Sequence, residues 1–292
     1  MCRSRRMLPL LVVCLSLAGS VPAAETPAEP AAFPAPLAMR VETDLFIDGQ
    51  ELPAARTLTL FQNGVAWDFL ELPATGPKAA VADGMKLAEI VLHDPVRERV
   101  VVVDPVRAWK TEIPLIRLER LSVSLAKWAR SSDDRLVRWA GGPDFTAGFK
   151  QDERQLELAG PRVRYAVVHA AAESPAAAAT YRRFADTAIL LKALLHPGGI
   201  PPFPRLAVNE RLEADAAIPA EVTLEVDARL ALVSGGPTRM RSVHKSHPQL
   251  LAADRRLIEE AEAHVAAAEA VDLATFMEPP PAVATESPQR GD

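Results

Sequence analysis

Residues 57–72 read TLTLFQNGVAWDFLEL, two alternating apolar runs on either side of Asn63-Gly64. Asn-Gly supplies the two positive-φ positions of a type I′ turn, whose twist matches that of the flanking strands, so the pair predicts a hairpin of fixed register. In that register Gln62 faces Val65, Leu60 faces Trp67 and Leu58 faces Phe69. Leu58, Leu60, Trp67 and Phe69 then share one face, while Thr59 against Asp68 and Phe61 against Ala66 occupy the other. The four apolar side chains are the candidate wall of a ligand cavity. Their alternative partner is the helix carrying Leu118, Leu121, Leu125 and Trp128, which would fill the same space.

Working outward, residues 39–47 also alternate and Asp48-Gly49 makes a turn. Downstream, Asp94-Pro95-Val96-Arg97 is echoed ten residues later by Asp104-Pro105-Val106-Arg107. Asp followed by Pro suits a type I turn, because the carboxylate accepts a backbone N–H and proline presets φ. Closing the loops as Asp94 with Arg97 and Asp104 with Arg107 predicts strands over 87–93, 98–103 and 108–113. Val91, Val100, Val102 and Trp109 then lie on one face, and Ile90, Val101 and Val103 on the other. A sheet apolar on both faces must be covered on both, by helices or by a bound apolar ligand.

Pro114 opens a helix to about residue 130, with Leu118, Leu121, Leu125 and Trp128 at spacings of three and four. Strands are predicted over 144–150, 154–158 and 162–170. Ser174-Pro175 is a cap followed by proline at the first helical position and starts a helix to about residue 195. A shorter helix from Pro204 carries Leu206, Val208 and Leu212; strands over 220–226 and 238–246 and a helix over 250–270 follow. The predicted class is α+β, a large antiparallel sheet of about eleven strands, covered by about four helices. An open half-barrel would satisfy this order; a doubly wound parallel sheet would not.

The 292 residues fit one large domain or two small ones, and 49% hydrophobic with 24% charged residues excludes a disordered chain or a polytopic membrane protein. Arg3, Arg5 and Arg6, the apolar run 7–18 and the small residues 19–24 follow the order of a secretory signal. The expected organisation is a signal peptide over 1–23, a Pro/Ala-rich linker over 24–37, one folded domain over 38–277 and a polar tail over 278–292. A retained membrane anchor and an acylated Cys14 are the alternatives; Leu11-Val12-Val13 before Cys14 lacks the small residue that acylation calls for. Cleavage removes Cys2 and Cys14, hence any disulfide or cysteine nucleophile. It also takes the net charge from −5 to −8, which suits no phosphate backbone.

Chemical motifs are sparse. Gly141-Gly142-Pro143, Gly198-Gly199 and Gly235-Gly236-Pro237 punctuate loops without completing a phosphate-binding loop. His244 and His247, three apart on a strand, point to opposite faces, which argues against a metal pair. His169 and His196 end a strand and a helix. Asp133-Asp134 and Glu259-Glu260 are adjacent and read as solvated; Arg239 and Arg241 share a strand face that meets water, a carboxylate or an anionic headgroup. No catalytic residue, metal ligand or cofactor is predicted.

The runs LTLFQNGVAWDFLE and AEIVLHDPVRERVVVVDPVRAWKTEI, within residues 57–113, resemble the outer-membrane lipoprotein carrier family and uncharacterised secreted bacterial proteins with the same succession of strands. The resemblance implies an open half-barrel of about eleven strands closed by helices over a hydrophobic cavity, with a lipid or lipoprotein as ligand. The carriers begin their mature chain with a helix where this chain has a proline-rich linker, and no functional residue of the family maps onto a numbered position. Three readings follow. The first is an exported, noncatalytic envelope protein, a scaffold or protein-binding module with an envelope protein partner. The second is a carrier or sensor of acyl chains between sheet and helices. The third is an enzyme whose site is assembled from scattered residues. None takes nucleic acid, and none has a membrane span once the signal is removed.

Overall fold

The computed structural model describes residues 38–74, 84–227 and 238–279. The expected signal peptide, the linker and nearly all of the tail lie outside these residues.

The described residues build one open twelve-stranded sheet with six helices, an α+β fold of half-barrel type. The strands are β1 (Met39–Ile47), β2 (Ala55–Gln62), β3 (Val65–Pro73), β4 (Met85–Asp94), β5 (Arg99–Asp104), β6 (Trp109–Pro114), β7 (Phe149–Gln151), β8 (Gln155–Ala159), β9 (Val163–Ala171), β10 (Ala217–Val226), β11 (Arg239–His247) and β12 (Glu269–Ala270). Their spatial order is 12-6-5-4-3-2-1-11-10-9-8-7. Every pair is antiparallel except the two-residue β12–β6 contact. The helices are α1 (Leu115–Arg130), α2 (Arg135–Ala140), α3 (Pro175–Leu195), α4 (Phe203–Ala214), α5 (Ala252–Ala267) and α6 (Leu273–Phe276).

The β2–β3 hairpin has the predicted register, with Leu60 opposite Trp67 and Leu58 opposite Phe69. Asn63 and Gly64 both take positive φ, 53° and 79°. Replacing Gly64 by Val puts a β-branched side chain in that conformation and is expected to cost roughly 1 to 3 kcal/mol, read from the denaturant midpoint. A midpoint equal to that of a swap at an exposed loop site would remove the turn assignment.

The two Asp-Pro echoes form turns, but the pairing differs from expectation. Asp94 pairs with Arg99 and Asp104 with Trp109, so each loop holds four residues rather than two. The extra length comes from Glu98 and Ala108, which take φ of 52° and 54° at the loop ends. Two added residues preserve the alternation, so the assignment of faces is unchanged. Asp94 Oδ1 accepts the Arg97 N–H at 3.1 Å, and Asp104 Oδ1 accepts the Val106 and Arg107 N–H groups at 2.9 Å.

The ladder Met39–Phe61–Ala66–His93–Val100–Ile113 runs across one face, and Arg40–Leu60–Trp67–Leu92–Val101 across the other. On the first, α3 sets Tyr181 and Ala185 over Met39, Val41, Phe61 and Ala66, and Leu191 and Leu195 join Leu118 of α1 over Val91, Val100, Val102 and Ile113. Further along the same face, Leu136 of α2 and Val208 and Leu212 of α4 cover Leu156, Leu158, Tyr165, Val167 and Val222. Ser174 caps α3 through the Ala177 N–H at 3.1 Å, as its sequence predicts.

Two helices and one strand exceed the sequence expectation. Asp134 is exposed, as its sequence reading has it, and is also a helix cap. It accepts the Leu136 and Val137 N–H groups at 2.7 and 3.0 Å and starts the six-residue α2. Gly160 leaves the space in which the Trp139 ring of α2 sits, 2.2 Å from where a Cβ would be. The helix predicted over 250–270 stops at Ala267, where β12 pairs with the β6 edge and α6 returns Phe276 to the first face. Arg107 holds that return. Its guanidinium donates to Asp104 and to the Phe276 and Glu278 carbonyls at 2.6 to 2.9 Å, and stacks 4.5 Å from the Trp109 ring centre. A strand edge that would otherwise lie open is thereby covered.

Candidate functional site

The face of Leu58, Leu60, Trp67 and Phe69 is occupied. Leu60, Trp67 and Phe69 are buried with Ile90, Leu92, Val101 and Val103, and α5 lays Leu257, Ile258, Ala261 and Val265 over them; Leu58 packs at the margin. Arg40 Nε, 3.2 Å from Asp254 Oδ1, and Lys110 Nζ, 2.6 Å from the Val265 carbonyl, tie the two ends of α5 to the sheet. The helix expected to meet these four residues, that of Leu118, Leu121, Leu125 and Trp128, lies on the opposite face. Leu118 contacts the ladder of Val100, which is out of phase with the ladder of Leu60. Of that stripe only Leu118 is buried, and Trp128 is 56% exposed.

Beneath α3, the first face holds charge. Thr59 Oγ1 donates to Asp68 Oδ1 at 2.7 Å. Glu89 on β4 is the diagonal neighbour of Asp68, since Asp68 pairs with Val91 and Glu89 with Leu70. Both carboxylates are half-buried. Burial pushes Asp68 up to about 6, opposed by the Thr59 hydrogen bond and the field of Lys192 on α3. Burial pushes Glu89 up to about 7, reinforced by the charges of Asp68 and Asp104 and opposed by Lys192. The pair titrates together near neutrality and can hold a proton at the seam between sheet and helix.

This titration has a mechanical consequence. With its value raised above that of a free carboxyl, Glu89 gives the native state more bound protons than the unfolded state between about pH 4.5 and 7, so its contribution to stability falls as pH rises through that window. Glu89→Gln is expected to gain on the order of 1 to 2 kcal/mol over the parent at pH 8 and almost nothing at pH 4, measured as urea midpoints. An equal offset at both pH values would show that Glu89 does not titrate in this range.

Two histidines are held neutral. The His93 ring lies edge-on to Phe184 at 4.7 Å, makes no hydrogen bond among the described residues, and is driven down to about 3 by burial. Its Nδ1 is enclosed without a partner. His244 faces inward, with Thr43 Oγ1 3.0 Å from Nδ1 and Ser242 Oγ 2.9 Å from Nε2; burial and then the charge of Arg205 hold it near 3. His247 is exposed on the other face, so the two do not meet. Arg241 and Arg239 find carboxylates, Glu221 at 3.5 Å and Glu225 at 3.9 Å. No group of three or more His, Cys, Asp or Glu residues able to hold a metal occurs among the described residues.

Two half-open cavities lie among the described residues. One, of about 40 Å³, is bounded by His93, Phe61, Phe184, Arg99, Arg183 and Leu115 at the end of β4. The other is a groove of about 330 Å³ on the face away from α4, with Lys150, Gln151, Asp152, Glu157, Arg164 and Glu221 among its walls. Neither is bounded by the hairpin residues Leu58, Leu60, Trp67 and Phe69.

A scan against protein-family models and a search of curated proteins both return no match to this chain.

Asp68 and Glu89 were legible in part. Once the strands around them are apolar on both faces, any acid within them must be buried, and Asp68 already stood opposite Thr59 in the predicted hairpin. The contribution of Lys192 carries no such signal, because it depends on where α3 crosses the sheet.

Proposed function

We propose that this chain is an exported, noncatalytic envelope protein that works as a scaffold or protein-binding module. The observation that carries this reading is that its own helices fill both faces of the central sheet, α1 and α3 on one and α5 on the other. The apolar-walled cavity amounts to about 40 Å³, against the several hundred cubic ångströms that an acyl chain or comparable ligand occupies. The groove of about 330 Å³ is open and its walls mix charged side chains with Leu156, Ala166, Val167 and Val168. It borders the short exposed edge strand β7, where an extended segment of a partner protein can add to the sheet. Asp68 and Glu89 lie under α3, where Asp68 accepts the Thr59 hydroxyl, and neither lines either cavity, which favours a structural role over catalysis.

Native mass spectrometry of the protein purified from its envelope, with lipid extraction of the same sample, tests the reading. The expected mass is that of a polypeptide beginning near Ala24, with no stoichiometric lipid and no uptake of a fluorescent fatty acid. A co-purifying acyl lipid would replace the scaffold by the carrier reading. An intact Met1 or a lipid-modified Cys14 at the terminus would remove cleavage near Ala24.

A further inference from the structure

Helix α1 is built differently from the other long helices. It docks through one face, with Leu118 and Ala129 buried and Leu115, Leu121, Ser122, Leu125 and Ala126 half-buried, and turns the opposite arc outward. That outward arc carries Ile116, Val123 and Trp128, exposed by 50%, 72% and 56%. Between them stand Arg117, Arg120 and Lys127, all exposed. None of the three cations has a carboxylate partner among the described residues, and Glu119 is the one acid on the helix. Arg130 is engaged with the Gly141 carbonyl at 2.8 Å. In a chain with a net charge of −5, this is a local reversal of sign. The contrast with α5 is direct, since α5 turns outward Glu259, Glu260 and Glu262 beside Arg255 and Arg256.

We infer that α1 is an interfacial helix that docks the protein on an anionic phospholipid surface. Unpaired cations complement the headgroup charge, and large apolar side chains interleaved with them reach the boundary of the acyl region. Tryptophan favours that depth because its ring is apolar and its N–H is polar. An acidic protein partner fits less well, because a protein interface sets an apolar core inside a polar rim, whereas here apolar and charged side chains alternate around one arc. No described helix is long and apolar enough to cross a membrane, and the contact inferred for α1 is one that lies along the surface. This holds whether or not the groove beside β7 takes a partner.

The test is co-sedimentation of the full chain with vesicles of phosphatidylglycerol and phosphatidylcholine mixed, and with phosphatidylcholine alone. The expected result is binding to the mixed vesicles that weakens with added salt, and much weaker binding to the neutral ones. Reversing three cations together (Arg117→Glu, Arg120→Glu, Lys127→Glu) is expected to weaken binding on the order of a hundredfold, and Trp128→Ser severalfold. Because all four side chains are exposed, circular dichroism and the melting temperature should stay at parent values; if the triple variant does not fold, the neutral set Arg117→Gln, Arg120→Gln, Lys127→Gln takes its place. Equal binding to neutral and anionic vesicles would overturn the inference, as would a charge variant that binds like the parent. So would binding to polyglutamate without binding to phosphatidylglycerol vesicles, which would assign the arc to an acidic protein instead.

Discussion

Trp67→Ala should cost about 3 to 5 kcal/mol of stability, the largest loss expected from any single substitution considered for this protein. The indole is 4% exposed and lies in the layer between the hairpin and α5, among Leu60, Phe69, Ile90, Leu92, Val101 and Val103. Truncation removes its contacts to both and leaves a void that a sheet pinned by neighbouring strands cannot close. Had these residues walled a ligand cavity, the space would already exist and the loss would be smaller. Trp128→Ala supplies the control, since the same chemical change on the outer arc of α1 should stay within about 0.5 kcal/mol. Guanidinium unfolding followed by circular dichroism separates the two. A Trp67 loss below about 1 kcal/mol would mean that α5 does not pack on this face as described.

The second large effect is a loss of stability in acid that runs through His93. Its native value, about 3, lies well below that of a free imidazole. The native state therefore binds fewer protons than the unfolded state between about pH 3 and 6.5; its contribution is complete above that window and is lost as pH falls through it. The loss from this ring should reach roughly 3 to 5 kcal/mol near pH 3. Asp68 and Glu89 act in the opposite sense between about pH 4 and 7, so the parent profile alone does not isolate His93. His93→Phe does. It keeps an aromatic ring against Phe184 and removes the enclosed, unpartnered Nδ1. At pH 7 the variant should match or exceed the parent, and between pH 6 and 4 its stability should fall far less steeply. Urea midpoints across that range test this, with His93→Leu as a second variant should the larger ring strain the site. Parallel profiles for parent and variants would exclude His93 as the source.

What local chemistry governs could be read from residues alone. Asn63-Gly64 fixed a turn, the turn fixed the register, and alternation then assigned Leu60 and Trp67 to one face and Thr59 and Asp68 to the other. Ser174-Pro175 placed the start of α3 for the same reason, since a cap and a preset φ act within one turn of helix. The Asp-Pro echoes announced turns but not their length, because the left-handed conformations of Glu98 and Ala108 have no glycine to signal them. Asp134 went unread as a cap because its acidic neighbour made the pair look solvated, and because α2 is too short to show a period.

The order of residues alone requires that both faces of the sheet be apolar and covered; it could not say by what. Tertiary structure decided that α5 returns to cover the hairpin face, that α1 and α3 take the other, and that Lys192 stands over Asp68 and Glu89. Tertiary structure also left Trp128 outside the core. A helical stripe records only that apolar residues recur on one side. How much of that side is buried depends on where the helix crosses its sheet, which is set by packing between residues far apart in the chain.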